Sequence, residues 1–163
     1  MKIGLALKSL TSLTILVLAF GGNCLSSMND VLPSSDISDP TDAINKGIGL
    51  YDLGKYNDSM DEFEKALISN SPDALIGIGN CEFALGNYKE AIDLYEKAIE
   101  IDSNSAKAWY RKGNAFLLLN RSKEAIECFN QALDLKPGYA EAYANRELAQ
   151  SARQSNLPIE PLP

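Results

Sequence analysis

The chain has 163 residues, 22 acids against 15 bases, and no histidine. This length is enough for one modest domain, and a hydrophobic content of 45% fits a globular chain rather than a disordered one. Without histidine the commonest general base and the usual zinc ligand are missing, so Ser-His-Asp and Cys-His nucleophile systems are excluded. The net charge of −7 disfavours nucleic acid as a partner. We therefore expect no enzymatic activity, no cofactor and no metal.

Residues 1–23 have the organisation of an export signal. Two lysines precede an apolar run over residues 10–20, and Gly21 and Gly22 follow it. A basic start, a short apolar centre and small residues at the exit are typical of secretory signals. A membrane span needs about 20 apolar residues, but an uncleaved membrane anchor is the alternative interpretation.

Cys24 directly follows this segment and resembles the lipidation site of prokaryotic lipoproteins, in which the thiol takes a diacylglyceryl group and becomes the mature N-terminus. Asn23 departs from that pattern, because Gly, Ala or Ser is usual before the cysteine. The alternative is cleavage after Gly21, which would leave Cys24 as a free thiol. In either case we expect an exported protein of the cell envelope, either membrane-anchored or secreted.

Two segments lack any apolar period. Residues 24–39 are rich in Ser and Asp, and residues 154–163 are rich in Pro. Such compositions cannot bury enough surface to order themselves. They are predicted to be a flexible tether and a disordered tail.

Between these segments the chain repeats itself. Residues 79 and 113 are both glycine, 34 positions apart, and the residues that follow them match at the same offset. The matched pairs are Gly79 with Gly113, Ala91 with Ala125, Tyr95 with Phe129 and Ala98 with Ala132. A third copy lies upstream, in which Gly47, Ser59, Phe63 and Ala66 take the same places. A period of this length indicates a solenoid of stacked repeats.

Each repeat is predicted to be a helical hairpin. Its second half has small or apolar residues at i, i+1, i+4, i+7 and i+8, which is a one-sided helical stripe. The first halves, at about residues 41–53, 72–85 and 106–119, are also helical and more apolar. Short turn signals separate the halves, so the two helices must be antiparallel neighbours. The small residues are expected to let these helices approach closely, while the aromatic position fills the gap beyond them.

The third unit resembles the tetratricopeptide repeat. The residues that match are Trp109, Gly113, Phe116, Ala125, Phe129, Ala132 and Pro137. The resemblance extends over about residues 40–153 and departs from the family at Lys112, where Leu is usual. It implies an all-α, right-handed α-solenoid of three helix-turn-helix repeats at residues 40–71, 72–105 and 106–139, followed by a capping helix at residues 140–153.

The resemblance also implies a peptide-binding groove on the concave side, which the first helices form. The groove positions carried over are Ile44, Ile48, Tyr51, Ile76, Asn80, Phe83, Lys107, Tyr110, Arg111, Asn114 and Leu117. The asparagines can donate to and accept from a peptide backbone, and the apolar residues can supply buried area. The alternative is that many of them are ordinary repeat residues without a binding role.

Lys107, Arg111 and Asn114, together with Asn80, resemble half of the carboxylate clamp found in chaperone co-factors of this family. The other half is absent, because Ile44 and Ile48 replace Lys and Asn there. Residues 40–105 hold 13 acids and 5 bases, whereas residues 106–139 hold 6 bases and 3 acids. Such a bipolar stack would orient a bipolar ligand, although chance variation of exposed residues is the alternative explanation.

Two functions remain open from the sequence. One is an adaptor that binds a peptide or protein segment and is tethered at the outer face of a membrane. The other is a permanent structural or assembly subunit of an envelope complex. Cys81 and Cys128 are predicted to be small core residues rather than a disulfide, and the sequence makes no prediction of the oligomeric state.

Overall fold

The computed structural model describes residues 39–155, which form seven α-helices and one 3₁₀ turn, with no strand among them. The helices are α1 (Pro40–Asp52), α2 (Tyr56–Ala66), α3 (Pro72–Ala84), α4 (Tyr88–Ile101), α5 (Ala106–Leu118), α6 (Ser122–Leu135) and α7 (Ala140–Ser155), and the 3₁₀ turn is Leu67–Ser69. Helices pair as α1 with α2, α3 with α4 and α5 with α6, and α7 packs on α6. The predicted all-α helical repeat is therefore confirmed.

Several sequence predictions concern residues outside this range. The export signal at residues 1–23, the lipidation site at Cys24 and the tether as far as residue 38 lie beyond the described residues, and they stay predictions. Of the predicted tail at residues 154–163, Gln154 and Ser155 belong to α7, and the rest lies beyond the described residues. Within residues 39–155 no helix is both long enough and apolar enough to span a membrane. In the same range no group of three or more His, Cys, Asp or Glu side chains could hold a metal ion.

All three hairpin turns use the same backbone device. At the first turn, the amide of Lys55 donates to the carbonyl of Leu50 at 3.0 Å and that of Gly54 donates to Tyr51 at 2.9 Å. This pair of bonds is the Schellman motif, which needs a left-handed residue after the helix. Gly54 and Gly86 supply it with φ of 73° and 86°, and Asn120 supplies it with φ of 58°. Asparagine is among the few other residues that adopt this conformation readily.

The glycine positions bring the two helices of each hairpin together, as expected. A Cβ atom on Gly113 would lie 2.6 Å from Cε1 of the fully buried Phe129. The corresponding pairs are Gly79 with Tyr95, at 2.7 Å, and Gly47 with Phe63, at 2.8 Å. Since carbon atoms do not approach this closely without strain, only glycine fits these positions.

The first hairpin departs from the pattern at Ser59, which takes the place of an alanine. Its side chain is fully buried, and its Oγ donates a hydrogen bond of 2.7 Å to the carbonyl of Gly47 on α1. The thiol of Cys81 on α3 lies 3.4 Å from the same Oγ. The polar group is therefore satisfied, and it joins three helices rather than leaving a buried donor unpaired.

The cysteines of the described residues are core residues, as predicted. Cys81 and Cys128 are both buried free thiols. Burial raises the pKa of the Cys128 thiol to about 11. Because the thiolate is the reactive form, neither side chain has the environment of a reactive cysteine.

Lys112, which replaces the usual leucine, behaves largely as an apolar side chain with a paired end. Only 15% of its side chain is exposed, and its Nζ forms an ion pair of 2.8 Å with Glu96 on α4. The same Nζ lies 5.3 Å from the ring centre of Trp109 and 5.8 Å from that of Phe116. A lysine stem can cover apolar surface while its charge stays at the edge, which explains why the repeat tolerates this departure.

Glu62 links the two helices of the first hairpin. Its Oε1 accepts from Lys46 on α1 at 2.6 Å and from Lys65 at 2.8 Å. These hydrogen bonds hold the pKa of the Glu62 carboxyl below its ordinary value. The first hairpin, which is two residues shorter than the others, thus has a polar link between its helices in addition to its apolar core.

Helix α7 ends the described stack with one buried side. Ala142 and Ala149 are fully buried against the third hairpin. Tyr143 and Glu147 are exposed, and the guanidinium of Arg146 lies 4.9 Å from the ring centre of Tyr143. This division fits a terminal helix, whose outer side faces solvent.

Candidate functional site

The first helices of the hairpins form the inner side of the stack. Helix α1 contacts α3, α3 contacts α5, and α5 contacts α7, whereas the second helices mainly contact the first helices beside them. Closer approach on one side curves a solenoid toward that side. The surface made by α1, α3 and α5 is therefore concave.

A depression of about 430 Å³ lies on this surface. It is lined by Ile44, Ile48, Tyr51 and Asp52 from α1, Phe63 from α2, Asp73, Gly77 and Asn80 from α3, and Lys107 and Arg111 from α5. Six of the eleven groove residues expected from the sequence are among them: Ile44, Ile48, Tyr51, Asn80, Lys107 and Arg111. The depression thus spans three successive first helices.

The α1 wall of the depression is apolar. Ile48 leaves 48% of its surface exposed, which is a large fraction for an isoleucine in a packed helix. Ile44 lies one turn earlier and Tyr51 one turn later, both half-buried. Burial raises the pKa of the Tyr51 hydroxyl above its ordinary value, so it stays a neutral hydrogen-bonding group. This wall can cover an apolar side chain of a ligand.

The α5 wall is cationic, and its charges lack internal partners. Within residues 39–155 no carboxylate forms an ion pair with Lys107 or Arg111. Lys107 is exposed, while Arg111 is half-buried with its guanidinium carbon 5.9 Å from the ring centre of Tyr110. The Nε atom of Arg111 is buried without a hydrogen-bond acceptor among the described residues. A buried donor without an acceptor is uncommon in a folded protein.

The two expected asparagines are already engaged inside the protein. The Tyr95 hydroxyl donates to Asn80 Oδ1 at 2.9 Å. Asn145, on α7, donates from Nδ2 to Asn114 Oδ1 at 2.8 Å, and the Tyr110 hydroxyl lies 3.3 Å from the same nitrogen. Asn114 and Tyr110 therefore serve the contact with α7 rather than the depression. Asn80 stays at the depression with its carbonyl oxygen already bonded.

Other groove residues expected from the sequence lie elsewhere. Ile76 and Leu117 are only 1% and 5% exposed; they belong to the hydrophobic core and do not line the depression. Phe83 packs against Tyr88 with ring centres 5.3 Å apart, and Tyr110 packs against Tyr139 at 4.9 Å. Neither residue lines the depression.

Four lining residues were not expected from the sequence: Asp52, Phe63, Asp73 and Gly77. A signal for Gly77 exists, because it occupies the position of Arg111 one repeat earlier, and Asn145 occupies it one repeat later. A Cβ atom on Gly77 would lie 2.6 Å from Phe63 Cε1, so the Phe63 ring is held between Gly47 and Gly77. The depression coincides with the one repeat in which this position has no side chain.

Comparison with known proteins agrees with this architecture, which is that of a helical-repeat protein. Residues 70–138 match the family model of the tetratricopeptide repeat. The predicted resemblance is thereby confirmed for the second and third hairpins. No curated protein matches the chain.

Solved structures of low sequence identity share the fold. A crystal structure of MamA is 24% identical with a TM-score of 0.67, covering 74% of this chain and 71% of that one. The first such repeat domain of Spaghetti (RPAP3), bound to the HSP90 peptide SRMEEVD, is 22% identical with a TM-score of 0.68, covering 73% and 96%. The Yersinia enterocolitica type III secretion chaperone SycD, in complex with a peptide of the translocator YopD, is 20% identical with a TM-score of 0.63, covering 73% and 99%. At these identities the likeness establishes the fold alone.

Proposed function

We propose that this protein is an adaptor that binds a segment of another polypeptide in the depression between α1, α3 and α5. The observation that supports the proposal most directly is the pairing of an exposed apolar wall at Ile48 with unpaired cations at Lys107 and Arg111. Two of the similar structures hold peptides, one from HSP90 and one from YopD. The proposed role is binding, without a chemical step.

Site-specific crosslinking in intact cells tests this role. A photoreactive side chain in place of Ile48 should trap a discrete partner, because that position lies at the open part of the depression. The matched control is Asp93, an exposed residue of the second helix α4. With the identified partner, Ile48→Asp should weaken binding at least tenfold, since it places a charge on an apolar contact. Equal crosslinking from both positions, or unchanged binding by the variant, would contradict the proposal.

The membrane tether is a second part of the proposal. It is supported by the order of basic residues, apolar run and cysteine over residues 1–24. If Cys24 is lipidated, Cys24→Ser should release the protein from membranes into the soluble exported fraction, whereas Ser26→Ala should not. Mass spectrometry of the mature N-terminus completes the test. An unmodified Cys24 downstream of an earlier cleavage site would reject lipidation, and an intact N-terminus in the membrane fraction would indicate the anchor instead.

One observation favours the alternative of a permanent structural subunit. Leu53, between α1 and α2, and Ile68, in the 3₁₀ turn after α2, are 73% and 88% exposed. In a permanent assembly, exposed aliphatic side chains of this kind would be covered by the partner. A permanent subunit should aggregate when purified alone, whereas the adaptor should stay soluble and monodisperse. In that experiment Leu53→Ser should improve solubility only if the subunit interpretation is correct.

A further inference from the structure

The geometry points to a particular class of ligand: an internal, extended segment with one aliphatic and one acidic side chain about four to six residues apart. The aliphatic side chain lies against the α1 wall, and the carboxylate reaches Lys107 and Arg111 on α5. This inference rests on the proposed binding function and specifies its ligand. It excludes the free carboxyl end of a chain as the main determinant.

The cationic wall selects an acidic group. Arg111 has a buried Nε without an acceptor, and neither it nor Lys107 is paired with a carboxylate of the described residues. A carboxylate accepts from a guanidinium in a charge-assisted bond that is stronger than a neutral one. A ligand carboxylate would therefore meet two cations, Lys107 and Arg111, that no carboxylate of the described residues neutralises.

The remaining charges limit how acidic the ligand can be. Asp52 and Asp73 also line the depression, so the two positive charges of the lining are balanced by two negative ones. Asp73 occupies the same repeat position on α3 as Lys107 on α5. A segment with several clustered acids would meet repulsion from these carboxylates. A single acidic side chain that binds at α5 avoids this repulsion.

The α1 wall selects an aliphatic group and offers no charged donor to a chain end. Ile44 and Ile48 are the aliphatic residues that α1 contributes to the lining, and neither side chain can donate a hydrogen bond. On α3, the carbonyl oxygen of Asn80 is bonded to Tyr95, and its Nδ2 is an uncharged donor. A terminal carboxylate bound here would therefore find charged donors on α5 alone, the same donors that an acidic side chain uses. The exposed surface of Ile48 would then stay uncovered.

The spacing follows from the stacking of the first helices. Neighbouring helix axes lie about 8–10 Å apart, so α1 and α5 are about 16–20 Å apart, and their side chains shorten the gap. An extended chain advances about 3.3 Å per residue. About four to six residues therefore separate the two anchoring side chains.

A display selection followed by binding measurements tests the inference. Random twelve-residue segments, joined at both ends to a carrier domain so that no free carboxyl end exists, are selected on the purified chain. We expect enrichment of one aliphatic and one acidic residue at the stated spacing. A synthetic version with both ends blocked should bind at least tenfold more tightly than the same peptide with its acid changed to the amide.

Variants of the protein test whether Lys107 and Arg111 contact the acidic side chain of the ligand. Because Lys107 is exposed, the Lys107→Gln variant should fold normally. The Arg111→Gln variant removes the half-buried guanidinium. Each should weaken the acidic peptide about tenfold and leave the amide peptide unchanged, which is the coupling expected of a direct contact. The control Lys97→Gln, on the exposed side of α4, should bind both peptides like the parent.

Three outcomes would overturn the inference. If the selected segments bind through Ile48 but need no acid, the groove function stands and the acidic contact is wrong. If SRMEEVD with a free carboxyl end binds more tightly than every blocked peptide, the chain end is the determinant. If sedimentation shows a dimer that Ile48→Asp dissociates, a second copy occupies the depression. A failure of the proposed function would give a different result from these three. In that case the cellular partner would bind the Ile48→Asp variant as tightly as it binds the parent.

Discussion

Gly113→Leu should lower the free energy of unfolding by about 1–3 kcal/mol or more, because it overpacks a closed contact. A Cβ atom at this position would lie 2.6 Å from Cε1 and 2.8 Å from Cδ1 of Phe129. The Phe129 ring is fully buried. Urea unfolding followed by helical circular dichroism measures the loss.

A matched glycine in another helix provides the control. Gly49 in α1 has nothing within 4 Å of the position that a Cβ would take. Gly49→Ala should therefore stabilise the chain by about 0.5–1 kcal/mol, through helix propensity alone. Equal unfolding midpoints for Gly113→Leu and the parent would show that the glycine positions do not set the approach of the helices.

Phe63→Ala should cost about 3–5 kcal/mol, as is usual for a phenylalanine removed from a core. The ring is 2% exposed and is held between Gly47 and Gly77. Neither glycine has a side chain that could fill the cavity. In a repeat stack each unit contacts only its neighbours, so the loss should be local. Amide exchange should show lost protection in α1 and α2 and retained protection in α5 and α6.

An exposed residue beside the same hairpin is the control for this variant. Leu53 is 73% exposed, and Leu53→Ala should change the stability by no more than about 0.5 kcal/mol. Protection lost evenly from α1 to α6 would contradict the expectation that the first hairpin can open by itself. Such a result would mean that the whole stack unfolds as one unit.

The contacts within each hairpin could be predicted from the sequence because they are local. The glycine and the aromatic residue of a hairpin are 16 positions apart in all three units, as in Gly113 and Phe129. One short turn fixes the register of the two helices. Gly54, Gly86 and Asn120, which adopt a positive φ, mark the three turns. Periodicity and turn chemistry therefore suffice to define the hairpins.

The site was only partly predictable because it depends on contacts between hairpins. Helix α3 is buried on nearly every side from Ala74 to Gly79. An apolar stripe cannot show which residues of such a helix face the groove, and Ile76 lies in the core instead. Asn145 reaches Asn114 from 31 positions away. No local pattern marks that contact, although it decides where the open part of the groove ends.

Asn80 and Asn114, the two asparagines of the inner surface, differ in which residue donates a hydrogen bond to their side-chain oxygen. In the second hairpin Tyr95 donates to Asn80 within the same repeat. In the third hairpin the corresponding ring is Phe129, which has no hydroxyl, and Asn114 accepts from Asn145 of the following helix. The second repeat thus supplies the donor for its own asparagine, whereas the third repeat receives the donor from the helix that follows it. A duplicated copy of residues 72–105 could be inserted after itself without leaving this asparagine carbonyl unsatisfied, so the stack is more open to lengthening there than after its third repeat.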